Sequence, residues 1–113
     1  ESPEEIEPSF DPEAVYGSSS PGILNELFEV VEERFNRPTE DSYTSYLFAE
    51  GLDKILKKIG EEATEVVIAA KNPNMDELVF ELADLYYHTL VLMVEKGTDP
   101  GTVFRELKSR RSK

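Results

Sequence analysis

Leu78-Val79-Phe80-Glu81-Leu82-Ala83-Asp84-Leu85-Tyr86-Tyr87-His88-Thr89-Leu90-Val91-Leu92-Met93-Val94 is the stretch on which the fold turns. Wound as a helix at about 100° per residue, it is apolar on every side except where Glu81, Asp84 and His88 interrupt it along one stripe. A helix of that kind is made for burial, and a carboxylate carried into a buried setting needs a partner to offset its desolvation. Upstream, a second helical pattern carries Glu61, Glu62 and Glu65. The chain offers few candidate partners for so many acids other than a metal ion.

Working outward, apolar residues at helical spacing (Ile23, Leu24, Leu27, Phe28, Val30, Val31, Phe35) predict a first helix over 23–35. A turn-rich stretch over 36–44, with Pro38, breaks it. A second helix is predicted over 50–71, entered through Ser42-Tyr43-Thr44-Ser45-Tyr46, a run with room for a short turn of its own. Asn72-Pro73 ends it, because the residue before a proline is pushed out of the helical region. Asn74 and Glu77 have capping-box spacing, so the third helix starts after Asn74 and runs to about Lys96, before Gly97. Asp99 as cap and Pro100 at the first helical position open a fourth, whose end is rich in cations suited to the helix dipole (Arg105, Lys108, Arg110, Arg111, Lys113). With no strand-like alternation, repeat or extended heptad, residues 23–113 read as an all-α antiparallel helical bundle.

Residues 1–22 are different in kind. They combine Pro3, Pro8, Pro12 and Pro21 with Gly17-Ser18-Ser19-Ser20, and read as an acidic linker or tail whose Phe10, Val15 and Tyr16 are free to dock on a neighbouring surface. This segment holds Glu1, Glu4, Glu5, Glu7, Asp11 and Glu13 and no Lys or Arg, which accounts for half of the formal net charge of −12. A balance that acidic argues against nucleic acid or an anionic membrane as partner, since both demand basic patches. It leaves room for an anionic small substrate where a cation screens the site. The absence of cysteine removes disulfides and thiolate zinc sites. No run of about eighteen apolar residues and no signal-peptide layout is present, so a soluble cytoplasmic protein is expected. At 113 residues the chain can build one core, near the size at which a second copy completes it, and a homodimer is expected.

On the second helix Glu61 and Glu65 share a stripe with Lys54 and Lys58, while Glu62 falls toward the apolar edge of Ile55, Ile59 and Val66. Glu61 and Glu65 at i, i+4 repel each other by about 0.2–0.5 kcal/mol even in solvent. The short connection over 72–74 makes the two acidic helices antiparallel neighbours, so Glu62-x-x-Glu65 and Glu81-x-x-Asp84 fall at similar depth and their carboxylates converge. Hard oxygen donors suit Mg²⁺ or Mn²⁺, ions that bridge carboxylates to phosphates, and the chemistry they serve is metal-assisted hydrolysis. Each residue also has a plainer reading. Glu61-Glu62 alone is most simply a solvated face, His88 a hydrogen-bonding core residue, and Tyr86 and Tyr87 packing or dimer-interface residues. Lys54, Lys57 and Lys58 are solvated by default and anion clamps if phosphates lie near.

The blocks Ser42-Tyr43-Thr44, Gly51-Leu52-Asp53-Lys54-Ile55-Leu56-Lys57-Lys58-Ile59-Gly60-Glu61-Glu62-Ala63-Thr64-Glu65 and Glu81-Leu82-Ala83-Asp84-Leu85-Tyr86-Tyr87-His88 resemble the phosphoribosyl-ATP pyrophosphohydrolase family of histidine biosynthesis. That family is related to the MazG-like all-α nucleotide pyrophosphohydrolases, with E-x-x-E followed by E-x-x-D as signature. The resemblance implies Mg²⁺-dependent cleavage of the α–β phosphoanhydride of phosphoribosyl-ATP to phosphoribosyl-AMP and pyrophosphate, by a bundle completed as a dimer. It implies Glu62, Glu65, Glu81 and Asp84 as metal ligands and Glu61 as a water-orienting or supporting carboxylate. Lys54, Lys57 and Lys58 become phosphate contacts, and Ser42-Tyr43-Thr44 a substrate-facing segment. Phe10-Asp11-Pro12-Glu13-Ala14-Val15-Tyr16-Gly17 is similar to the connector that precedes this domain in proteins fused to phosphoribosyl-AMP cyclohydrolase. Rival readings are a house-cleaning pyrophosphohydrolase acting on dUTP or another nucleoside triphosphate, and a non-catalytic helical dimerisation module. A di-iron bundle needs two Glu-x-x-His motifs, and the chain has one histidine.

Overall fold

The computed structural model describes residues 21–111, and among them every regular element is a helix. In chain order these are α1 (Ile23–Asn36), α2 (Tyr43–Glu50), α3 (Leu52–Ala70), α4 (Met75–Lys96) and α5 (Pro100–Arg111). The all-α reading stands, with five helices where the sequence suggested four. The linker reading of the leading segment, with Phe10, Val15 and Tyr16, lies outside the described residues but for Pro21 and Gly22.

The extra helix corrects the expected start of the second one. The helix expected over 50–71 begins instead at Leu52, because Gly51 stands at φ 98° and ψ −177°, a conformation open essentially to glycine, and breaks the chain there. Before it, Ser42 caps α2 by accepting a hydrogen bond from the Ser45 N–H at 3.0 Å, so the supposed turn is a full two-turn helix. The other boundaries follow their local chemistry. Asn74 accepts from the Glu77 N–H at 3.3 Å to start α4, and Gly97 closes it in the left-handed region at φ 82° while the Thr98 N–H reaches back to the Met93 carbonyl at 2.9 Å. Asp99 caps α5 through the Thr102 N–H at 2.8 Å, ahead of Pro100.

The long antiparallel helices α3 and α4 pack along each other more extensively than any other pair, and α1 lies across α4 with α2 wedged beside it. Val31 of α1, Tyr43 and Leu47 of α2, Ile55 of α3, and Tyr87 and Val91 of α4 form the buried core. Each such fully buried aliphatic side chain contributes about 1.5–3 kcal/mol through removal from water. The short α2 therefore matters out of proportion to its length, since it places an aromatic ring against the middle of α4.

Much apolar surface stays outside. Leu56, Val67 and Ile68 on α3, Met75, Val79, Phe80 and Tyr86 on α4, and Val103, Phe104 and Leu107 on α5 are all exposed. The helix that reads as apolar on all sides is thus covered on one side only. No helix among the described residues is long and apolar enough to cross a membrane.

Candidate functional site

The α3–α4 turn sets the register of the acids. Glu62 and Asp84 each stand eleven residues from Pro73, and Glu65 and Glu81 each stand eight, so an antiparallel pair brings the four to two adjacent levels. One carboxylate oxygen from each of Glu62, Glu81 and Asp84 lies within 4.8 Å of the others. Glu62 is buried, as its place on the apolar edge of α3 requires, while Glu81 and Asp84 are half-buried. Glu65 is exposed and outside that triple, yet both it and Glu62 reach the Glu81 carboxyl.

Electrostatics make this cluster unstable by itself. Burial, reinforced by the charges of Glu65 and Glu62, holds the Glu81 carboxyl above the usual carboxylate range. Part of the offset comes from Lys58, whose ammonium lies 3.6 Å from Glu62 Oε2 and 3.6 Å from Glu61 Oε1. Far from hanging in solvent, the Lys58 side chain is only 15% exposed. Glu61 is exposed and joins the site through Lys58 alone among these contacts. Lys54 lies over the Tyr46 ring at 5.8 Å, and Lys57 is exposed.

His88, one turn beyond Asp84, is 1% exposed and its ring is fully engaged. Its Nδ1–H donates to the Asp84 backbone carbonyl at 2.7 Å and its Nε2 accepts from the Tyr43 hydroxyl at 2.8 Å, the assignment of donors being fixed by these partners. Burial pushes the imidazole below its ordinary pKa, and with both ring nitrogens engaged neither is left to hold an ion. The core reading of His88 is the one the structure shows. Tyr86 and Tyr87 part company, Tyr86 facing out and Tyr87 buried with its phenol pushed up by burial.

Ser42, Tyr43 and Thr44, expected to face substrate, are buried in the chain's own interior. Ser42 is spent as a helix cap, Tyr43 on His88, and the Thr44 hydroxyl on the Tyr87 hydroxyl. What sequence reasoning missed is this pair of hydroxyl contacts from α2 to α4. The available signal was His88, a polar residue set among apolar neighbours beyond Glu81 and Asp84, which had to find a partner somewhere.

Three carboxylates within reach of one point, with no free imidazole or thiol, form an oxygen-only donor set of the kind that Mg²⁺ and Mn²⁺ prefer. Beside them a cavity of about 230 Å³ is lined by Glu65, Ile68, Ala69, Asn72, Glu77 and Glu81. A larger cleft of about 470 Å³ between α1 and α5 shares no residue with the cluster.

The sequence profile of the phosphoribosyl-ATP pyrophosphohydrolase family matches residues 24–111. The histidine biosynthesis bifunctional protein HisIE of Caldanaerobacter subterraneus subsp. tengcongensis is 52% identical over 105 residues, 93% of this chain and 50% of that protein. The phosphoribosyl-ATP pyrophosphatase of Lactiplantibacillus plantarum is 54% identical over 90 residues, 80% of this chain and 85% of that protein. That of Listeria welshimeri is 56% identical over 91 residues, 80% of this chain and 87% of that protein. The chain thus spans half the length of the bifunctional relative and most of the length of the single-activity ones.

Proposed function

This chain belongs to the phosphoribosyl-ATP pyrophosphohydrolase family, and from that premise we propose that it hydrolyses the α–β phosphoanhydride of phosphoribosyl-ATP, releasing phosphoribosyl-AMP and pyrophosphate, with Mg²⁺ held on α3 and α4. The observation that carries the proposal is the meeting of Glu62, Glu81 and Asp84 within 4.8 Å, two of them inside the E-x-x-D half of the family signature. A bound Mg²⁺ supplies neutralisation of phosphate charge and a lowered pKa for an attacking water. The protein's share is to keep the carboxylates converged. Glu62, Glu81 and Asp84 hold the ion, and Glu65 completes the set from beside Glu81. Glu61, at the rim with Lys58, orients water, and Lys54, Lys57 and Lys58 steady phosphate oxygens as compact charges. Tyr43 and Thr44 act from behind, fixing α4 through His88 and Tyr87, and Ser42 caps the helix that carries them.

The working unit in this reading is a homodimer. Nucleotide pockets usually run from about 300 to 1,000 Å³, more than the 230 Å³ beside the carboxylates. The exposed apolar residues of α3 and α4, Val67, Met75, Val79 and Phe80 among them, flank the acidic pair and supply the surface that a second copy buries. The alignment with the bifunctional relative covers 105 residues, more than residues 23–113 can hold, so it takes in part of the leading acidic segment. Alignments with the single-activity relatives stop at 90 and 91 residues. That difference supports the connector reading, with a phosphoribosyl-AMP cyclohydrolase as the fused or associated partner.

Turnover of phosphoribosyl-ATP, measured against dUTP and the common nucleoside triphosphates with and without Mg²⁺, tests the assignment. Preference for dUTP, or equal rates in a chelator, refutes it.

A further inference from the structure

Lys58 is a cation placed where the proposed ion would exert its strongest repulsion. It lies 3.6 Å from both Glu62 Oε2 and Glu61 Oε1, while Glu62 is also the buried member of the carboxylate triple. Tight charge-assisted bonds close to about 2.7–2.9 Å, so this contact is one of charge rather than of a locked hydrogen bond. A lysine in that state has a flexible four-carbon stem and three rotatable donors, and it can change partners without moving the helix. An ion held by Glu62 would bring two positive charges against the ammonium. A substrate phosphate drawn to that ion would lie on the same side of α3 and would offer the ammonium another anion.

We propose that Lys58 serves as the stand-in counter-ion of Glu62 before the divalent ion binds, and hands over to a substrate phosphate once the ion has arrived. This rests on the reading of Glu62, Glu81 and Asp84 as the metal site. It gives Lys58 two opposite effects, opposing the bare ion and favouring the phosphate that follows.

The test measures Mn²⁺ binding by electron paramagnetic resonance, first with Mn²⁺ alone and then the binding of inorganic pyrophosphate to the Mn²⁺-loaded protein. Lys58→Met should bind Mn²⁺ about two- to fivefold more tightly than the parent, the equivalent of losing one partly exposed ion pair, and pyrophosphate more weakly. Lys57→Met removes the same unit charge from an exposed neighbour and should leave Mn²⁺ affinity near the parent value. Lys58→Gln, which removes the charge but keeps a polar side chain there, should repeat the Lys58→Met pattern. A structural role for Lys58 would move both affinities in the same direction. If the parent and Lys57→Met bind Mn²⁺ while both Lys58 variants bind it no tighter, the handover is overturned and the metal site stands. If the parent binds no Mn²⁺, the metal-site reading falls and takes the handover with it.

Discussion

Tyr43→Phe removes one oxygen atom from the interior and isolates its consequence. Tyr43 is 3% exposed, its ring packs against Tyr87 and His88, and phenylalanine keeps that packing. What disappears is the donor to His88 Nε2, an acceptor on a residue 1% exposed. Leaving a buried acceptor without its donor costs about 1–3 kcal/mol, against the smaller net worth of an ordinary hydrogen bond. For a domain of this size each kcal/mol moves the thermal midpoint by about 4–8 °C, so a fall of about 4–24 °C is expected in a calorimetric or circular-dichroism melt. A double-mutant cycle with His88→Leu sharpens the test, because removing both polar partners should cost less than the two single losses added together. The chain's one histidine makes the site directly readable, since nitrogen NMR of His88 should report the neutral Nδ1–H form in the parent. A Tyr43→Phe melt within a degree of the parent, with no coupling to His88→Leu, would refute the account of how α2 is fastened to α4.

Other outcomes follow from the same structure. Millimolar Mg²⁺ should raise the midpoint, by an amount equivalent to about 2.7 kcal/mol at a hundredfold excess over Kd, and Glu62→Gln or Asp84→Asn should abolish the rise together with pyrophosphate release. Gly51→Ala meets no atom within 4 Å, so its cost is conformational alone, about 1–3 kcal/mol in urea unfolding, without any change in the metal site. Because burial lowers the His88 pKa in the folded chain, the unfolded chain takes up a proton first as pH falls. The stability due to His88 is therefore complete above about pH 6.5, declines below it, and the difference in midpoint between the parent and His88→Leu should shrink accordingly. Val67→Glu with Val79→Glu should yield monomers in sedimentation equilibrium, and an unchanged dimer would exclude this face as the interface.

Most of this architecture was legible because it is written in short-range chemistry. Asn74 with Glu77, Asp99 before Pro100, and Gly97 are caps whose partners lie within a turn, and all three fell where sequence placed them. The depth of Glu62 and Asp84 was legible for the same reason, since a connection as short as the observed four residues leaves little freedom in register. Gly51 shows where such reasoning stops. A glycine inside an otherwise helical pattern is tolerated at a cost of about 1 kcal/mol, and nothing local announces that φ is 98°. The Tyr43–His88 and Thr44–Tyr87 contacts join residues 45 and 43 positions apart, a separation that no local pattern encodes, whereas the substrate-facing expectation for Ser42-Tyr43-Thr44 came from the family resemblance. Lys58 was ambiguous for a different reason, because a lysine four residues before a glutamate is an ordinary surface pair until the glutamate is buried.

The two sides of α4 explain why these features coexist. One side carries Glu81 and Asp84 toward Glu62, a grouping that repels itself and that burial makes worse. Helix propensity alone cannot hold three carboxylates in register against that repulsion, since most helical stability in proteins comes from tertiary packing. The restoring force has to come from behind, and it does. Tyr43 and Thr44 engage His88 and Tyr87 within one turn of Asp84, and Leu47, Ile55 and Val91 fill the space around them. On the flank, Val79, Phe80 and Tyr86 remain uncovered in the single chain. A second copy pressed there would stiffen the same turns from the outside. Loss of the subunit contact should then weaken Mn²⁺ binding even though no substituted residue touches the ion. Titrating Mn²⁺ into Val67→Glu/Val79→Glu decides the point, and monomers that bind Mn²⁺ as tightly as the parent would show that the inner support from α2 suffices by itself.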